Sequence, residues 1–379
     1  MPFAAALSEH PLATQATGEV LGQILEAIGE EPDLVVLFVT GAHTGAVEDI
    51  AAAIQTVLRP GAFIGATAVG IAGGDREIES QPAITLWAAR FGAVDAVHLQ
   101  AARTADGLAL LGVGPDALEA VTAMVLLADP ASFPVAEVLE HLRVQHPSLV
   151  VVGGLASSGF AGQNRVVVDG AVHDRGAAAV LLGPRQRMTA IVSQGCRPIG
   201  SPLVVTRADG NLIQEIAGQS ALERLGGLYA AAPAETREIM GRGVHLGLVV
   251  DEHRLDYERG DFLIRPIVGT DRDSGAIMSG EPVAVGSTVQ FHVRDALSAD
   301  EDLRELLIGR HGAAALLFTC NGRGMRLFGE PDHDAEVLDA VIEGHALSGM
   351  FCAGEIGPVG AQNFLHGFSA SVALFDEPD

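Results

Sequence analysis

The amino-acid sequence predicts an α/β protein, with α+β as the alternative, built from layered mixed β-sheets covered by helices and divided into two domains. Three observations carry this reading. One order of elements (strand, helix, strand, glycine turn, strand) recurs along the chain in three segments. Apolar residues make up 48% of the 379 residues and aromatics only 4%, so Ala, Val, Leu and Ile must fill closely spaced layers. Between the second and third segments, apolar runs joined by Asp/Gly turns read as a β-meander.

In the first repeat, residues 34–40 are an apolar strand, 46–58 have helical spacing, and 62–65 and 83–89 are further strands. The second repeat runs 122–128, 135–144, 149–152 and 177–182, and the third 314–319, 335–343, 350–352 and 369–375. Local spelling agrees: Leu37-Phe38-Val39-Thr40-Gly41 echoes Leu317-Phe318-Thr319-Cys320-Asn321-Gly322, and Gly61-Ala62-Phe63 echoes Gly349-Met350-Phe351. A helical stretch over 221–240, interrupted at Pro233, separates the halves, and the meander fills 246–293. The domains are then 1–32, an N-terminal extension and helix; 33–220; and 221–379, with the first dozen residues outside the expected core.

Composition excludes several functions. With 23 basic residues against 48 acidic ones the formal charge is −25, which repels nucleic acid and anionic lipid alike. Every basic residue is an arginine, so Schiff-base and pyridoxal chemistry and the lysine-dependent phosphate loop drop out. The three cysteines, Cys196, Cys320 and Cys352, form no C-x-x-C pair, which fits a reducing compartment and argues against a zinc site. No apolar run approaches the ~20 residues needed to span a bilayer, and the expectation is a soluble cytoplasmic protein with no nucleic-acid or membrane partner.

Single motifs read blandly. Gly41-Ala42-His43-Thr44-Gly45 lacks the spacing of a dinucleotide loop and reads as a strand-to-helix turn. Asp271-Arg272-Asp273-Ser274-Gly275 has the wrong register for a calcium loop and reads as a hairpin turn. More specific are polar residues at the ends of apolar C-terminal strands, where burial without partners costs a few kcal/mol each. Arg294, Asp295, Cys320, Asn321, Arg323, Cys352, Glu355 and His366 form the candidate ligand-binding set, in which Arg294 or Arg323 can clamp a carboxylate bidentately. The plainer alternative is that these charges tie glycine loops together. Cys352 with His366, oriented by Asn363 or Glu355, also has the residue types of a thiol enzyme, and a histidine beside aromatics those of a haem ligand.

Phe351-Cys352-Ala353-Gly354-Glu355-Ile356-Gly357-Pro358 and Asn363-Phe364-Leu365-His366-Gly367-Phe368-Ser369-Ala370-Ser371 resemble the signature of the FIST-domain family. Gln194-Gly195-Cys196-Arg197-Pro198-Ile199-Gly200, Phe262-Leu263-Ile264-Arg265, residues 291–295 and Cys320-Asn321-Gly322-Arg323-Gly324 are similar to its other motifs, extending the likeness over about 33–375. The resemblance implies an N-terminal and a C-terminal FIST domain, two repeats in the first and one in the second, and an intracellular sensor of small ligands, proposed to include amino acids. It raises haem as a cofactor, because some members are haem proteins that respond to nitric oxide. No kinase, cyclase, methyl-accepting or F-box segment is recognisable, so the expected output runs through a separate signalling partner.

Overall fold

Leu34–Thr40, Ala62–Ala68, Ala123–Ala128, Ala177–Leu182, Ala314–Cys320 and Leu347–Cys352 are strands in which every residue is buried. Such unbroken apolar strands require both faces of a sheet to be covered. In the computed structural model, which describes residues 2–105, 107–159, 162–254 and 256–378, the first of two units does this. That unit comprises Met1–Val192 and Arg304–Asp379; the second is Ser193–Leu303.

Three sheets build the first unit, and each begins from one repeat. Leu34–Thr40 pairs in parallel with Ala62–Ala68, and Ile84–Ala89 runs antiparallel beside the former. Ala123–Ala128 with Val150–Leu155 and Ala177–Leu182, and Ala314–Cys320 with Leu347–Cys352 and Ala370–Phe375, repeat the arrangement. Each sheet is then extended by a hairpin from another repeat. Gly70–Gly73 and Arg76–Glu79 of the first repeat complete the third sheet, Val166–Val168 and Ala171–His173 of the second complete the first, and Glu355–Val359 and Gln362–His366 of the third complete the second. The exchange is cyclic, so no repeat has a finished sheet of its own.

One glycine position makes the exchange fit. Gly65 opposite Leu37, Gly153 opposite Leu126 and Gly349 opposite Leu317 each lie between the parallel partner and the donated hairpin. A Cβ there would lie 2.8, 1.9 and 2.4 Å from the partner leucine's carbonyl oxygen. A residue read from sequence as a strand end is thus a strand middle, which is why Ala62–Ala68, Val150–Leu155 and Leu347–Cys352 outrun their expected limits.

The three sheets share one core, with Val36 and Ile64 from the first, Val125 and Leu127 from the second, and Leu316 and Phe318 from the third. Outside it, helices Ala13–Ile28 and Val47–Leu58 cover the first sheet and Val135–Gln145 covers the second. Two expectations need correction. The first dozen residues are not outside the core, since Phe3–Ser8 pairs with Ile84–Ala89 and Phe3 packs against Trp87. The helix expected over 335–343 is His333–Asp339, because residues 341–343 instead pair with Gly312.

The second unit is an antiparallel β-barrel. Its strands run in the order Cys196–Asp209, Thr288–Arg294, His245–Val249, Phe262–Asp271, Ala276–Ser279, Leu212–Ile216, and the first and last pair to close the ring. Val205, Leu246, Ile277, Val289 and Phe291 fill it, and helix Ala221–Ala231, with Ser220 Oγ accepting from the Glu223 N–H, packs against that core. Asp271 and Ala276 flank the hairpin turn expected there, and Pro233 separates the two helices as expected.

Candidate functional site

In the third sheet the two parallel strands end side by side at Cys320 and Cys352, and the chain turns through Asn321 and Gly322 into Arg323. Arg323 is completely buried. Its Nε and Nη2 each donate to Asp334 at 2.7 Å, a bidentate pair. Thr319 Oγ1 also donates to Asp334 at 2.7 Å, and His333 Nδ1 lies 3.0 Å from it. Burial alone would raise the Asp334 pKa, but the Arg323 charge and these hydrogen bonds hold the carboxyl well below its ordinary value.

Two more carboxyls face this pair. Glu77 comes from the exchanged hairpin and accepts the Ala335 N–H on Oε1 at 3.2 Å. Its pKa is raised, first by burial and then by the Asp334 charge, with Arg323 opposing. Glu355 accepts the Ser369 N–H and hydroxyl on Oε2 at 3.1 and 2.9 Å. Burial pushes its pKa up to about 8 against the Ser369 bonds, the Arg323 charge and the weakly donating Cys320 thiol. Arg323 Nη1, Glu77 Oε2 and Glu355 Oε1 are buried without a conventional hydrogen-bond partner among the described residues.

Six of the eight sequence candidates lie in this unit. Arg323 and Glu355 belong to the cluster, and Cys320 borders it, its Sγ 3.5 Å from the Gly322 N–H. Asn321 is exposed and contributes its N–H to the Cys352 carbonyl. His366, opposite Glu355 in register, holds its Nε2 3.0 Å from the Gly357 carbonyl. Arg294 and Asp295 are in the barrel unit, where Arg294 ends a strand opposite Cys196 and Asp295 accepts from Arg197 Nε at 3.1 Å. Asp334, Glu77, His333 and Thr319 escaped sequence reading. The run Asp332-His333-Asp334 opening a helix was a usable signal for two of them, whereas nothing local to Glu77 points to a partner 255 residues away.

The Cys352 thiol is fully buried and directed to the Met350 carbonyl at 3.5 Å, and burial pushes its pKa well up, the reverse of an activated nucleophile. His366 does not fit a haem-ligand role here, because its Nε2 is turned to a carbonyl and only 5% of the residue is exposed. A surface cleft of about 530 Å³ lined by Asp33, Arg90 and Arg185 lies elsewhere in the unit. Its polar groups are largely engaged: Asp33 accepts the Phe91 and Gly92 N–H groups, and Arg90 donates to the Ile28 and Glu30 carbonyls.

The FIST N domain matches residues 33–219 and the FIST C domain residues 219–358. The chain belongs to the FIST family, whose domains are generally associated with sensory, ligand-binding signalling. It is 42% identical over 384 residues to an uncharacterised protein of Mycobacterium tuberculosis, covering 99% of this chain and 100% of that one. An uncharacterised protein of Mycobacterium bovis is also 42% identical, over 374 residues and 96% of each chain. No helix among the described residues is long and apolar enough to cross a membrane.

Proposed function

We propose that this protein is a cytoplasmic sensor that binds a small amino-acid-like or carboxylate ligand at the Arg323, Glu77 and Glu355 cluster and signals through a separate partner. The observation that carries the reading is the trio of buried atoms without a conventional hydrogen-bond partner among the described residues: one guanidinium N–H and two carboxyl oxygens. Leaving such groups unsatisfied costs about 1–3 kcal/mol each, which a bound molecule of matching polarity recovers. A ligand carboxylate suits Arg323 Nη1, and an ammonium suits the Glu77 and Glu355 oxygens, so a zwitterion satisfies both signs at once.

Thermal unfolding in the presence of the free amino acids and simple carboxylates tests this. At least one compound raises the melting temperature by mass action, and Glu77→Gln weakens that response by about tenfold, or ~1.4 kcal/mol. A panel that leaves the melting temperature unmoved at millimolar concentration overturns the reading.

A further inference from the structure

One short stretch of chain runs over the Arg323 and Glu77 side of the cluster. Residues 321–332 leave the third sheet at Cys320 and pass along its edge strand, Arg76–Glu79, before helix His333–Asp339 begins. Three hydrogen bonds fasten this stretch and the start of that helix to the strand. Met325 N–H donates to Glu79 Oε1 at 2.8 Å, Glu77 N–H to Asp332 Oδ1 at 2.6 Å, and Ala335 N–H to Glu77 Oε1 at 3.2 Å. Between the fastenings sits the four-residue helix Met325–Phe328, none of whose residues is buried.

Each end of that helix is a glycine in the left-handed region, Gly324 at φ 58° and Gly329 at φ 76°. A side chain at Gly324 would displace the latching carboxylate, since a Cβ would lie 2.4 Å from Glu79 Oε1. On the inner side, the Phe328 ring stacks on His333 with centroids 3.5 Å apart and planes 11° from parallel. The Arg323 guanidinium carbon is 5.2 Å from the Phe328 ring centroid, so this ring covers the ligand-facing arginine.

We propose that residues 324–329 are a hinged gate over the Arg323, Glu77 and Glu355 atoms, latched by Glu79 and by the Phe328–His333 stack. The proposal rests on the ligand reading above for what passes through the gate. Glu77 and Glu79 are two apart on one strand and therefore share a face, so the residue that meets the ligand and the residue that holds the gate move together. Both belong to the hairpin that the first repeat lends to the third. Occupancy of the cluster is thereby felt by a strand rooted in the other family domain.

The test needs no ligand, which keeps its failure distinct from failure of the ligand reading. Cys320, only 7% exposed, is where the gate segment leaves the sheet, whereas Cys352 beside it is fully buried in the strand. Iodoacetamide labelling of the native protein, followed residue by residue through peptide masses, reads gate opening at Cys320 and global unfolding at Cys352. Glu79→Ala accelerates Cys320 labelling by about tenfold, the loss expected for a charge-assisted hydrogen bond, and Phe328→Ala, which removes the His333 stack and the contact over Arg323, accelerates it in the same direction, while Cys352 stays unlabelled. An unchanged Cys320 rate in both variants, or parallel labelling of both thiols, overturns the gate. If Glu79→Ala fails to fold, Phe328→Ala carries the test alone.

Discussion

At the end of the first parallel strand of each repeat one backbone hydrogen bond recurs: Thr40 N–H to the Ala83 carbonyl at 3.0 Å, Asp129 to Gly176 at 2.9 Å, and Cys320 to Ser369 at 2.9 Å. Beyond it the second and third repeats diverge. In the second, Asp129 is 2% exposed and both its oxygens are satisfied, Oδ1 by Asn164 Nδ2 at 3.1 Å and Oδ2 by Ser132 Oγ at 2.6 Å. Asn164 Oδ1 in turn accepts from Ser158 Oγ and the Gly159 N–H, and Ser158 Oγ also reaches Thr67. In the third, a guanidinium and three carboxyls share the same place, and one atom on each of three residues is left over. A common frame therefore supports a finished polar knot in one repeat and an unfinished one in another, where hydrogen-bonding capacity is left over.

Breaking the third-repeat pair has the largest expected effect. Arg323→Met leaves Asp334 buried without its partner, which costs about 3–5 kcal/mol, and lowers the melting temperature by on the order of 10 °C. Arg323→Met with Asp334→Leu restores most of that loss, because no lone buried charge remains. A single variant as stable as the parent shows that the pair adds nothing to the fold.

Next in size is a pH effect. Glu355 has an ordinary value of 4.5 and is pushed up to about 8 in the folded state, so the folded protein holds a proton that the unfolded chain releases. Its contribution to stability is complete below about pH 4.5 and is lost as pH rises to about 8. Glu77, raised for the same reason, adds to the same slope. The melting temperature therefore falls between pH 5 and 8, and Glu355→Gln makes the fall shallower. Equal slopes in parent and variant contradict the protonated Glu355.

The repeats and most strands were legible because apolar runs buried on both faces are unbroken in sequence. Arg323 and Glu355 were legible for a related reason: a charge at the end of an apolar strand must find a partner. The same signature marks Arg294 and Asp295, yet Asp295 is answered by Arg197 inside the barrel, because the pattern specifies that a partner exists and not which sheet supplies it. Glu77 was invisible for a different reason. Its hairpin pairs not with its own repeat but with Leu347–Cys352, and exchange between distant segments leaves no periodicity to read. Gly65, Gly153 and Gly349 misled in the opposite direction, since a glycine demanded by close backbone approach is spelled like one that ends a strand.

The smallest expected effect sharpens the comparison most. Asn164→Ala in the second-repeat knot removes the buried donor to Asp129 Oδ1 and the acceptor for the part-buried Gly159 N–H. It destabilises by about 1–3 kcal/mol. Glu77→Gln in the third-repeat cluster changes a residue just as secluded, at 5% exposure, but the balance differs. Burial already favours the neutral carboxyl, which the amide copies, and the amide oxygen still accepts the Ala335 N–H. The Oε2 position has no partner to lose. Denaturant unfolding of the two variants near pH 7 should therefore show a loss for Asn164→Ala and none for Glu77→Gln in the absence of added ligand. If Glu77→Gln is as costly as Asn164→Ala, then Glu77 Oε2 is engaged in the fold itself and the third-repeat knot is as finished as the second.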